Sequence, residues 1–120
     1  MTIRRMKTYT GGQGYVYQYY FVGKRAAAST GDVGPSMEYI FDVTADRKTI
    51  FAVSVFLPYE ALEQWSAAHR RTLTDAEQYG AVKMRLFQAF DEVENMLSYG
   101  RQLTVDREVL EDVLGKLGVA

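Results

Sequence analysis

Tyr15-Val16-Tyr17-Gln18-Tyr19-Tyr20-Phe21-Val22 is the stretch on which the fold turns. Aromatic and β-branched residues suit a pleated surface and suit a helix less well, so these residues predict a β-strand. Side chains alternate across a strand. Tyr15, Tyr17, Tyr19 and Phe21 therefore share one face, and Val16, Gln18, Tyr20 and Val22 share the other. Both faces are largely apolar, which predicts an internal strand or one covered on both sides.

Working outward, residues 23–36 hold three glycines, a proline and a run of small residues. They read as a long, flexible loop. Residues 37–44 alternate cleanly: Met37, Tyr39, Phe41 and Val43 face one way, and Glu38, Ile40, Asp42 and Thr44 the other. After the polar turn Ala45-Asp46-Arg47-Lys48, residues 49–57 resume the pattern with Phe51, Val53, Val55 and Leu57 on one face. The short turn makes these two strands a hairpin. Residues 2–9 are expected to add a weaker edge strand. Four glycine-rich positions, Gly11-Gly12-Gln13-Gly14, precede a strand rather than open a helix. They read as a turn or bulge, not as a phosphate-binding loop.

Pro58 has no N–H for a ladder and suits a first helical turn. Leu62, Trp65 and Ala68 or His69 then recur at helical spacing, predicting a helix over 59–70. Thr74-Asp75-Ala76-Glu77 has the form of a capping box. Tyr79, Val82, Leu86, Phe90, Val93 and Leu97 follow it at steps of three or four, predicting one helix to about residue 97. Phe87 widens its apolar stripe, and Met84 falls nearly opposite Phe87, as expected of a helix that meets a second subunit. Gly100 breaks the pattern. Thr104 or Asp106 caps a last helix striped by Val109, Leu110, Val113, Leu114 and Leu117, with Gly118 at its end. No internal repeat is present.

Together these predict one α+β domain over 1–120, with an antiparallel sheet of three to four strands followed by three helices on one of its faces. A chain of 120 residues, 48% apolar and 24% charged, supports such a core without help from disulfides or metals. It contains no cysteine, which excludes disulfides, thiol nucleophiles and cysteine–zinc sites. No apolar run approaches the ~20 residues that cross a bilayer, and no signal-peptide pattern follows the basic start. The expectation is a cytoplasmic protein without a membrane partner.

Candidate chemistry is sparse. His69 is the only histidine, and its place near a helix end fits an interaction with the last carbonyls. Glu38 and Asp42 share a strand face but stand ~13 Å apart along it, too far to act on one bond. Asp91, Glu92 and Glu94 read as a solvated helix face. The sequence thus predicts no catalytic residue, no metal and no cofactor.

Two features carry the binding expectations. The net charge is −1, but residues 1–25 hold five bases and no acid, while residues 91–120 hold seven acids and three bases. Six of the nine tyrosines precede residue 40. Tyr17, Tyr19 and Tyr20, flanked by Arg4, Arg5, Lys24 and Arg25, could stack on unpaired bases of a single-stranded nucleic acid. Sheet tyrosines packed as core are the preferred alternative. A third option is an apolar ligand held between sheet and helices beside Trp65. The leading expectation is a non-catalytic interaction or regulatory module that forms a homodimer.

Overall fold

A computed structural model of the chain describes residues 6–29 and 33–119. The fold is α+β. Five strands form one sheet in the order β1-β2-β3-β4-β5. β1 (Lys7–Thr10), β2 (Val16–Ala27), β3 (Ser36–Thr44) and β4 (Phe51–Pro58) make an antiparallel meander, and β5 (Gln102–Thr104) adds to β4 in parallel. Between β4 and β5 run α1 (Tyr59–His69), α2 (Asp75–Glu92) and the single turn α3 (Met96–Tyr99); α4 (Arg107–Lys116) follows β5.

The register sorts the side chains into two faces. Tyr19, Val43 and Phe51 align across β2, β3 and β4, as do Phe41 with Val53 and Tyr39 with Val55. With Tyr17, Leu57 and Leu103 they form one face of the sheet, and all are buried. Ala61 and Trp65 of α1, Val82, Leu86 and Phe90 of α2, and Leu110, Val113 and Leu114 of α4 complete the same single core. The opposite face carries Gln18 beside Thr44, Tyr20 beside Asp42 and Ala52, Ile40 beside Ser54, and Glu38 beside Phe56. Its apolar residues Tyr20, Ile40, Ala52 and Phe56 are not part of the hydrophobic core, while Glu38 and Thr44 on this face are themselves buried.

Three boundaries differ from the sequence expectation. β2 continues to Ala27, because Lys24, Arg25, Ala26 and Ala27 pair with Tyr39, Glu38, Met37 and Ser36. Ladder formation with β3 outweighs the low β propensity of the alanines. The pairing slips between Phe21 and Gly23, which leaves Val22 as the extra residue of a bulge. Residues 30–32 of the expected loop lie outside the described residues.

The long helix is also shorter than its periodicity suggests. Thr74 and Glu77 form the capping box at its start, but α2 stops at Glu92, where Val93 turns to an extended conformation. The Asn95 side chain caps α3 by accepting from the Ser98 N–H. Met84 and Phe87 are both partly buried and pack against the core. The third difference is β5, whose three residues were not expected as a strand.

Candidate functional site

The core-side tyrosines are enclosed by α2. Tyr17 stacks on Phe90 with ring centroids 4.3 Å apart, and Tyr19 meets Phe87 edge-on at 5.5 Å. Their exposures are 2% and 5%, which leaves no ring face on which a base could stack. Burial raises the pKa of both phenols. Lys83 closes this aromatic cluster from the side, its ammonium 5.7 Å from the Tyr79 and Phe87 centroids. Burial there, and then the nearby Lys7 charge, hold Lys83 below the ordinary lysine range.

The remaining residues of interest scatter. Tyr20 lies on the helix-free face, half-buried beside Asp42. Lys24 is on the core side, its ammonium 5.7 Å from the Tyr39 ring. Arg4 and Arg5 lie outside the described residues. Trp65, on the inner side of α1, is fully buried. The His69 ring stacks on it at 4.2 Å, and the Arg71 guanidinium lies 5.1 Å from its centroid. His69 Nε2 is 2.8 Å from Glu111 Oε1 on α4, so the histidine ties α1 to α4. Arg71 in turn forms a two-pronged pair with Glu77 at 2.9 and 2.8 Å. That pair, first, and the Thr74 N–H, second, hold the Glu77 carboxyl at a pKa of about 2.

Arg25 comes to the helix-free face because of the bulge. Had β2 kept strict alternation from Tyr17, Arg25 would share the core side; the extra residue Val22 shifts it across the sheet, opposite Glu38. Its Nε donates to Glu38 Oε1 at 2.9 Å, and Ser54 Oγ donates to Glu38 Oε2 at 2.6 Å. Glu38 is thereby only 8% exposed in the middle of an otherwise uncovered face. The serine bond, ahead of the arginine, outweighs burial and holds its carboxyl below the usual range. A carboxylate so stabilised is a poor general base, and no group of three or more acidic or histidine side chains among the described residues could hold a metal.

The helix-free face is therefore a mixed surface. Val16 and Val22 are 46% and 49% exposed, and Tyr20, Ile40 and Phe56 are half-buried among Gln18, Asp42, Ser54 and Gln102. At one end of the sheet lies a separate feature, a cleft of about 590 Å³. The residue before β2 supplies Tyr15, the β3–β4 turn Asp46, the start of β4 Phe51, the α2–α3 connection Glu94, and α3 Leu97 and Tyr99. No local sequence signal marks this cleft, because it depends on the break at Val93, after which α3 starts anew from the Asn95 cap.

The acidic end of α2 also has a specific task. Asp91 accepts from the Tyr9 hydroxyl at 2.9 Å and from the Gly12 N–H at 2.9 Å, and Gln13 Nε2 donates to the Glu92 carbonyl at 3.0 Å. The glycine-rich hairpin thus docks on α2. A Cβ at Gly11 would run into the Phe90 carbonyl, which explains the need for glycine there. These contacts join residues some eighty positions apart and leave no local signal.

No helix among the described residues is long and apolar enough to cross a membrane. No protein-family model, curated protein or solved structure matches the chain.

Proposed function

We propose that this domain is a non-catalytic interaction module that self-associates, two copies meeting through the helix-free faces of their sheets. One observation carries this reading: every helix contribution to the core lies on one side of a five-stranded sheet, and the other side keeps Val16, Val22, Tyr20, Ile40 and Phe56 outside the core. Five strands at about 4.8 Å spacing, averaging some seven residues at 3.3 Å each, cover roughly 600 Å² in flat projection. A stable interface needs roughly 800 Å² of accessible surface per partner, and side-chain relief brings this face into that range. A two-fold pairing is self-complementary, so one face of mixed character suffices.

The charges favour a protein over a nucleic acid as partner. On this face the Arg25 guanidinium is engaged by Glu38, and Asp42 adds a second acid. That combination offers little to a phosphate backbone. The cysteine-free sequence suits the cytoplasm as the setting for this role.

Sedimentation velocity from roughly 1 to 100 µM, the range of about −8 to −5 kcal/mol of association free energy, tests the reading. The wild-type chain shifts toward dimer as concentration rises, and Val22→Lys holds it as monomer. A wild-type chain that stays monomeric throughout would sink the proposal.

A further inference from the structure

We propose that the cleft at the end of the sheet binds a small amphipathic organic cation, an ammonium carried on an aromatic or alkyl body. Its volume of about 590 Å³ lies within the range of small-molecule sites. Its walls are unusual for this molecule. Tyr99 is 80% exposed, Tyr15 47% and Leu97 45%, and these three are among only seven large apolar residues left exposed in the described chain. All three converge on this cleft. Phe51 supplies a further ring from the start of β4.

The sign of the charge selects the ligand. Asp46 and Glu94 line the cleft, and no lysine, arginine or histidine does. Arg47 and Lys48 belong to the same turn as Asp46 but do not line it. Asp46 is fixed in place by its turn: the N–H groups of Lys48 and Thr49 donate to Oδ1, both at 2.8 Å, and Thr44 Oγ1 lies 3.2 Å from the same oxygen. Those bonds, led by Thr49, also hold its carboxyl below the usual range, so it stays ionised at neutral pH. Ring faces attract cations, and a carboxylate near an aromatic wall adds to that attraction while the apolar body fills the slot. An anion would face two carboxylates, and a neutral body would gain only contact area.

The cleft is set up by the local sequence. Val93 ends α2 in an extended conformation, and the Asn95 cap starts a new turn in another direction. Leu97 and Tyr99 therefore point away from the core stripe that Leu86 and Phe90 continue. Met96 stays buried and anchors the turn.

The test uses phenyltrimethylammonium as the cation, tert-butylbenzene as its neutral isostere and benzoate as an anion. Amide chemical shifts are followed by NMR on the full chain. The cation is expected to move the signals of Tyr15, Asp46, Leu97 and Tyr99 in a saturable way, with affinity about tenfold above that of either control. Tyr99→Ala and Glu94→Gln, both at exposed positions where folding is not at stake, should each weaken binding by roughly three- to tenfold. Monomeric Val22→Lys protein should bind the cation as the wild type does, which separates this inference from the sheet-pairing proposal. Equal binding of the neutral isostere, shifts confined to another surface, or no effect of Tyr99→Ala would each overturn it.

Discussion

On the helix-covered side of the sheet, Phe41, Val43, Val53 and Val55 are fully buried; on the opposite side, Val16 and Val22 of the neighbouring strand keep nearly half their surface in solvent. Valine occurs on both sides. What separates them is the partner layer: α1, α2 and α4 bring apolar stripes to the first face, whereas, of the described helices, the second meets only Ser98 and Tyr99 of α3, beside Ala52 and Ser54. The covered face also joins aromatic to aromatic, as in the stacks of Tyr17 on Phe90 and Tyr9 on Phe87. The uncovered face is held by polar links, chiefly Arg25 and Ser54 on Glu38. One side therefore supplies stability by burial, and the other offers a surface that a stable monomer does not need.

The sharpest way to break that contrast is at the aromatic contact between sheet and α2. Phe90 is fully buried and touches Tyr9, Tyr17, Tyr19 and Phe87. Phe90→Ala removes a ring from a site walled by other rings, which cannot collapse to fill it. The expected loss is about 3–5 kcal/mol, a large share of the ~5–15 kcal/mol typical of a domain. Urea unfolding monitored by circular dichroism measures it. A loss below about 1 kcal/mol would mean that the covered face is not where stability resides.

The next effect is smaller and depends on pH. The Glu38 pKa is lower in the folded chain than its ordinary 4.5, so its contribution is present above that value and is lost as pH falls through the folded-state pKa. Glu77, held at about 2, adds to the same acid limb. Glu38→Gln keeps an acceptor for Ser54 but carries no charge. Its stability should therefore fall less steeply below pH 4.5 than that of the wild type, while the Glu77 part of the slope persists. Unfolding midpoints measured between neutral pH and the acid limb decide this. An unchanged slope would show that the Glu38 cluster does not stabilise the uncovered face through its charge.

How far the sequence disclosed these two faces follows from the range of the interactions involved. Strict alternation in Met37–Thr44 and Phe51–Leu57 predicted both strands and the side each residue occupies, because period two is a local signal. The capping box at Thr74 and the stripe of α4 were legible for the same reason. The extension of β2 to Ala27 was not, since alanines and glycine there become a strand only by pairing with β3. Nor was the crossing of Arg25 to the side of Glu38, which one bulged residue decides. The end of α2 was obscured because Val93 and Leu97 continue the helical spacing across the break at residues 93–95. Tyr15–Val22 predicted an internal strand, and β2 does lie between β1 and β3. Its second apolar face, however, did not imply a covering layer within the chain. The cleft stayed hidden because its walls come from segments as far apart as Tyr15, Asp46 and Tyr99, brought together only by the sheet order.

The smallest effect on the monomer is the most informative about the uncovered face. Val22 is 49% exposed and sits at the bulge, where it has no directly paired residue on β3. Replacing it with lysine leaves the stem free to lie along the sheet and the ammonium in water. Exposed substitutions of this kind usually shift stability by less than about 0.5 kcal/mol. Unfolding of Val22→Lys at a concentration where the wild type is also monomeric should therefore match the wild type within that margin. In the proposed two-fold contact between sheet faces, the same change carries a lysine of each copy into the interface, where it is desolvated and lacks a partner. A variant that is as stable as the wild-type monomer yet no longer associates would divide the labour between the faces: the aromatic side folds the chain, and the valine side recruits the second copy. If instead Val22→Lys unfolds as readily as Phe90→Ala, the valine side belongs to the folding core of the single chain, and the distinction between the two faces fails.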